Sequence, residues 1–331
     1  MKQIPLYPLR FKPIYQYRLW GGRRLADLLS APLPRDIPIG EAWLLSDRDD
    51  HPSVVADGPL KGRTLGEVIE QFPEPLLGKW AGRFHRFPLL LKFLDARDTL
   101  SVQVHPSDAH PELIPPGETG KTEAWVVLEA APESRIYAGL KPGATPANLR
   151  RAIADGTLAD HLASFAPKAG DGVFIPAGTV HSLRGVVVFE VQQNSDVTFR
   201  LFDWNHVDAK TGRHRALQID KAMACIDYAQ GAVLPVAPVV ESPQPALRER
   251  LFHGKHFTVT RVSGKSPFTV DAESTPRVLV GLAGDGQVLH EGVNYPFAKG
   301  DVLLLGAVVE ARVCPAPGGM TVLEISQPEG A

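Results

Sequence analysis

Apolar positions along the chain fall mostly into strand-like patterns. In Arg86–Ala96 (RFPLLLKFLDA) they run together as in a buried strand, and in Thr99–Pro106 (TLSVQVHP) they alternate with polar residues at period two. EAWVVLEA, SRIYAGL, GDGVFIPAG, VVVFEVQQ and VTFRLFDW continue the pattern. Two stretches show helical features instead. TLGEVIEQFPEPLLGKWAG opens with a capping box, Thr64 with Glu67, and Pro73 and Pro75 end its helix. TPANLRRAIADGTLADHLASF places Pro146 at the first helical position after Thr145, and Gly156 divides two short helices. These are predicted helical insertions, over residues 64–82 and 145–165.

From Ala232, AVLPVAPVVESPQPALRER reads as a linker, placing one module at 1–235, the linker at 236–250 and a second module at 251–331. The second module is nearly all β: HFTVTRVSG, RVLVGLAGDG, QVLHEG, DVLLLGAVVEARV and MTVLEIS. Within it Gly281–Gly286 (GLAGDG) reads as a hairpin turn rather than a dinucleotide loop. KAGDGVFI and FAKGDVLLL share a Gly-Asp turn entering an apolar strand, which predicts two related barrels.

Composition narrows the function classes. Thirty glycines and thirty prolines in 331 residues suit strands and tight turns. A formal charge of −2 provides no bulk attraction to nucleic acid or anionic membrane, while leaving room for a local anion pocket. Two cysteines, Cys225 and Cys314, cannot build a disulfide scaffold or a cysteine zinc ribbon. The N-terminal MKQIPLYPLRFKPIYQYRLWGG carries Lys2, Arg10, Lys12 and Arg18 and lacks the apolar core of a signal peptide. The expectation is a cytoplasmic monomer or small homo-oligomer with no nucleic-acid or membrane partner.

The candidate chemistry lies in three segments. Gln103 and His105 share a strand face, so an amide oxygen and an imidazole can meet one ion. Glu123 and His181, from other strands, would complete a nitrogen and oxygen donor set suited to Zn²⁺ or a similar divalent metal. The spacing Gly170, Pro176, Gly178, His181 matches the second signature of the cupin barrel, with Gly185 where that signature ends in Asn. The first signature is altered by Gln103 and by a long loop between His105 and Glu123. The fold class expected is therefore mainly β: a cupin (jelly-roll) barrel with helical insertions, plus a smaller C-terminal β-sandwich or degenerate cupin. The second module's GDVLLLG lacks the Pro and His of the pattern and is expected to hold no metal.

SVQVHP, GKTEAW, IPAGTVHSL and SDVTFRLFDW, in this order, resemble the short bacterial form of the type I phosphomannose isomerases, over nearly the whole chain from Tyr15. The resemblance implies one zinc ion on Gln103, His105, Glu123 and His181, and interconversion of mannose 6-phosphate and fructose 6-phosphate through an enediolate. It implies catalytic roles for Arg200, Lys121, Glu190 and Asp196, and substrate contacts from Ser101, Lys92, Glu41 and Trp20. Gly120 and Leu183 depart from longer members, which carry a histidine and an aromatic residue there. Aldose–ketose isomerisation needs a base, an acid and a cation beside the C1 and C2 oxygens, and these residue types can supply them. The sequence leaves the identity of the base open. A metal-dependent cupin oxygenase and a non-catalytic sugar-phosphate sensor are the rival readings. His253 and His256 are expected on the surface without partners.

Overall fold

The computed structural model describes residues 6–270 and 274–327. It is mainly β, with two large antiparallel sheets. The first has nine strands: β1 (Ile14–Gly22), β2 (Ile39–Leu45), β3 (Leu89–Ala96), β4 (Val102–Val104), β5 (Glu123–Leu140), β6 (Leu162–Phe165), β7 (Gly172–Ile175), β8 (His181–Gln193) and β9 (Phe199–Phe202). The path β1-β2-β3-β8-β4-β9 runs through it, and β5 pairs with β6, β7 and β8. The expected strands EAWVVLEA and SRIYAGL are the two halves of β5, joined across irregular register between Val127 and Arg135.

Helices form within both expected stretches, but the second, 145–165, ends in strand β6 (Leu162–Phe165). The Thr64 hydroxyl accepts from Glu67 N–H while the Glu67 carboxylate accepts from Thr64 N–H, starting α1 (Leu65–Gln71). Pro73 opens a second short helix, α2 (Pro73–Leu77), because its missing N–H costs nothing in a first turn. Thr145 and Asn148 cap α3 (Pro146–Asp155), which ends at Gly156 in the left-handed region. After a two-stranded ribbon, β10 (Val207–Asp208) and β11 (Arg213–His214), comes α4 (Ile219–Cys225).

The second sheet comprises β12 (Val239–Ser242), β13 (Leu247–His253), β14 (Thr258–Gly264), β15 (Phe268–Val270), β16 (Arg277–His290), β17 (Val293–Ala298), β18 (Val302–Leu305) and β19 (Ala311–Ser326). Residues 236–250 thus contain β12 and the start of β13, which hydrogen-bond to each other and into this sheet. GLAGDG is not a hairpin turn but the middle of β16, where register shifts between Gly281 and Ala283 and between Gly284 and Gly286 bend a continuous strand. Glycines let the backbone kink there without leaving the ladder.

The two sheets repeat one plan. Long β5 pairs with β6, β7 and β8, and long β16 pairs with β17, β18 and β19. Gly170 N–H donates to Val127 O and Val127 N–H to Asp171 O, at 2.8 and 2.9 Å; Gly300, Gly281 and Asp301 repeat the exchange at 2.9 and 2.9 Å. Both turn glycines have positive φ, 91° and 87°, which glycine adopts without a Cβ penalty.

One apolar core runs through both sheets, from Leu9, Leu44 and Phe93 to Val259, Leu303 and Ile325. The chain enters it at its beginning: Leu9 exchanges both backbone hydrogen bonds with Leu304 of β18, and only then do residues 14–22 start the first sheet. Arg10 adds an ion pair to Asp301. A second cluster, including Trp20, Leu94, Trp125, Val127, Leu183, Val186 and Val188, lines the opposite face of the first sheet and sits beside the candidate site.

Candidate active site

Strand alternation delivers the polar residues. On β3, Leu91 and Phe93 enter the shared core, so Leu94 and Ala96 face the second cluster and Lys92 lies on their side. On β5, Glu123 is in phase with Trp125 and Val127. On β8 the inward phase changes between Leu183 and Val186, where Gly185 has φ of 72°; His181 and Glu190 therefore share a face despite their odd separation. Val102 and Val104 are packed in a third cluster behind β4, which turns Gln103 the other way.

His105, Glu123 and His181 meet, fully buried, with ligand atoms all within 4.8 Å of one another. His105 Nε2 lies 3.4 Å from Glu123 Oε2, and His181 Nε2 lies 3.2 Å from Glu123 Oε1. The other ring nitrogens are engaged: His105 Nδ1 with Val197 O at 2.7 Å and His181 Nδ1 with Thr179 O at 2.9 Å. Donation from Nδ1 to a carbonyl puts the lone pair of each ring on Nε2, where it can bind a metal in place of the donors it meets here, Lys121 Nζ at His105 and Gln103 Nε2 at His181. Both carboxylate oxygens of Glu123 are buried and make no hydrogen bond among the described residues; Oε2 has an ion pair with Lys121 at 3.1 Å, while Oε1 faces only His181 Nε2. A buried carboxylate so sparsely satisfied suits a site that a further cation completes. The donor set fits a divalent ion, and among the described residues no other group of three His, Cys, Asp or Glu gathers this way.

Gln103 joins the group through its amide nitrogen, 3.1 Å from His181 Nε2, while its Oε1 accepts from the Ser101 hydroxyl at 3.3 Å; ligation of a metal through Oε1 would require the amide to turn over. Ser101 is buried behind Gln103 and is not among the residues lining the adjoining cavity. Lys121 Nζ sits 3.1 Å from Glu123 Oε2 and 3.3 Å from His105 Nε2. Burial works against the Lys121 charge, but Glu123, Glu190 and Asp196 outweigh it and raise its pKa, so Lys121 is a cation. Burial and Lys121 push His105 down to about 3, and burial likewise lowers His181. Both imidazoles are neutral, as ligands must be.

The cavity beside these groups holds about 290 Å³, near the lower end for small-molecule sites. Trp20, Glu41, Lys92, Gln103, Lys121, Glu190, Asp196 and Arg200, all expected from the sequence, line it. Buried Lys92 stands 3.6 to 3.7 Å from Glu41, Glu190 and Asp196, and 4.8 Å from the Trp43 ring centre. Glu41 is already engaged by Arg18 at 2.8 Å and by Trp43 Nε1–H at 2.7 Å. Burial disfavours the Glu41 charge, yet Arg18 and Lys92 hold its pKa well below the usual carboxylate range. Glu190 differs: burial and the Glu123 charge raise it to about 7, although Lys92, Lys121 and a 2.9 Å bond from Trp125 Nε1–H oppose the shift. Buried Arg200 Nε has no hydrogen-bond partner among the described residues.

Sequence reasoning missed Arg18 and Arg215, which also line the cavity. Arg215, not Arg200, forms the two-pronged ion pair with Asp203, and that leaves Arg200 uncommitted. No spacing rule could have shown it, because β10 and β11 intervene. His256 is not a free surface residue: it is partly buried, 3.8 Å from Asp108.

Comparison with known proteins now bears on this geometry. The family model for the catalytic domain of type I phosphomannose isomerase matches residues 9–128, which include Gln103, His105 and Glu123. The mannose-6-phosphate isomerase ManA of Bacillus subtilis is 35% identical over 305 residues, 90% of this chain and 92% of that protein. This chain belongs to the type I phosphomannose isomerases. A mannose-6-phosphate isomerase of Streptococcus mutans is also 35% identical, over 92% of this chain and 94% of its own. The isomerase superposes on the crystal structure of a Bacillus subtilis mannose 6-phosphate isomerase with a TM-score of 0.87 at 29% identity, covering 98% of this chain and all of that one. A variant of the Salmonella typhimurium phosphomannose isomerase shares the fold, with a TM-score of 0.75 at 15% identity and 97% coverage of this chain. Among the described residues no helix of the isomerase is long and apolar enough to cross a membrane.

Proposed function

We propose that this isomerase interconverts mannose 6-phosphate and fructose 6-phosphate in the 290 Å³ cavity, with one Zn²⁺ held by Gln103, His105, Glu123 and His181. The observation that carries the reading is the buried Glu123 carboxylate, ion-paired among the described residues only to Lys121 and facing two neutral imidazoles beside a cavity rich in cations. Bound zinc would act as a Lewis acid, favouring negative charge on nearby substrate oxygens.

The chain's own residues account for the rest. Isomerisation moves a proton between C1 and C2 of the open-chain sugar, leaving negative charge on the flanking oxygens. Glu190, with a pKa near 7, is suited both to take that proton and to return it. Asp196, also beside Lys92, is its alternative. Lys121 and Arg200 stabilise anionic oxygens, Arg200 through donors that no protein group satisfies at Nε. Lys92 keeps Glu41 and Glu190 from repelling each other, and Trp20 forms an apolar wall. Ser101 acts at one remove, steering the Gln103 amide.

The test is a coupled assay of fructose 6-phosphate formation from mannose 6-phosphate, on protein of known metal content. Loss of activity with a chelator and its return with zinc are expected. Folded, zinc-loaded protein without turnover would overturn the assignment.

A further inference from the structure

Lys121 reaches Glu123 and His105 from a loop, residues 119–122, rather than from a strand. Most of this loop's backbone groups are tied. The Ser195 hydroxyl donates to Thr119 O at 2.9 Å, and Lys121 N–H donates to Pro106 O at 3.0 Å. Asp108 Oδ1 accepts Gly120 N–H at 2.7 Å. Asp108 Oδ2 accepts from Gln193 Nε2 at 2.8 Å, and Gln193 Oε1 in turn accepts Thr122 N–H at 2.9 Å. One carboxylate therefore holds the amides on both sides of Lys121, directly at Gly120 and through one side chain at Thr122. The fit is close enough to dictate residue 120: a Cβ there would lie 2.5 Å from Asp108 N and 2.8 Å from its Oδ1. That accounts for glycine at this position.

We infer that Asp108 is a positioning residue for the isomerase reaction: with Gln193 it forms a clamp that fixes the loop and thereby places the Lys121 ammonium. The inference rests on the functional reading of Lys121 given above. Neither Asp108 nor Gln193 lines the substrate cavity; both line a separate cleft of about 680 Å³ on the other side of the loop. His256, carried between β13 and β14, approaches the same Asp108 oxygen at 3.8 Å from that cleft.

The polarity of the clamp provides its test. In Asp108→Asn the new amide can keep its oxygen on Gly120 N–H, but its NH₂ then faces the Gln193 NH₂, donor against donor. Adding Gln193→Glu restores the pattern in reverse: the amide donates to one Glu oxygen and the other accepts Thr122 N–H. Net charge is unchanged. With zinc content and Tm held, D108N is expected to lose about 10- to 100-fold in kcat, the scale of a small misplacement of a reacting group. The double variant D108N/Q193E should recover to within about threefold of wild type. A D108N enzyme with wild-type kcat, or a double variant no better than the single one, would overturn the inference.

Amide exchange separates this from a failure of the functional reading. Thr122 N–H should exchange about tenfold faster in D108N and return in the double variant, whether or not the protein turns over mannose 6-phosphate. Unchanged exchange sinks the clamp, whereas an inactive wild type with the predicted exchange sinks only the activity. Should D108N not fold, Gln193→Leu, which releases only Thr122 N–H, is read in the same way.

Discussion

Glu123 and Glu190 are both buried and lie on paired strands, yet they titrate in opposite directions. Burial alone would raise both. The Lys121 charge overcomes it at Glu123 and keeps that carboxylate charged, whereas Glu190 feels burial together with the Glu123 charge and rises to about 7. A raised carboxyl pKa contributes stability that is complete below its unfolded value, near 4.5, and is lost as pH climbs through 7. Glu190→Gln removes that dependence. In metal-free protein the variant should therefore gain on wild type between pH 5 and 8, by up to about 3 kcal/mol, in urea titrations across that range. A pH-independent difference would show that Glu190 is not the group that titrates. Arg200→Ala is expected to lower kcat by about 100-fold or more while leaving zinc content intact, because its guanidinium touches no ligand and is spent on no ion pair. Unchanged turnover would leave Arg200 a structural residue. The metal residues could be read from the sequence because turn glycines and a short-range signature surround them. Arg18, Arg215 and Asp108 could not, since their partners lie 23, 12 and 85 residues away and only folding selects them.

At the scale of elements, the matching turns set the two long strands in correspondence. Val127 answers to Gly281, and four residues earlier Glu123 answers to Arg277. Glu123 pairs with Ile175 as Arg277 pairs with Leu305, and six residues beyond these stand His181 and Ala311. Gln103, paired with His181, corresponds to Val270, paired with Ala311. Three of the four ligand positions are thus Val, Arg and Ala in the second sheet. Elemental analysis of dialysed protein should find one zinc per chain, and His181→Ala should bring it to zero rather than expose a second, weaker site. The shared Gly-Asp turn made this repeat visible in the sequence. The long continuous β16 was hidden, because glycines that bend a strand and glycines that end one look alike until the pairing partner is known.

The whole molecule closes through its first residues. Leu9 completes the ladder beside Leu304, and Leu6, Tyr7, Leu9 and Phe11 sit in the core that both sheets share. A sequence divided at a proline-rich stretch gives no hint of this, since the segment that joins the halves lies at the opposite end of the chain. The consequence is one of timing during synthesis. Residues 6–11 leave the ribosome about 295 residues ahead of their partner strand; at 5–20 residues per second they wait roughly 15–60 s. Until then Leu9 has no ladder to join and the shared core lacks its far wall. Proteolysis of nascent chains arrested at increasing lengths should cut near Phe11 in every chain stopped before Leu304 and spare those that carry β18 and β19 clear of the tunnel. Early protection in the short chains would mean that the first sheet can seat its own amino-terminal strand without the second.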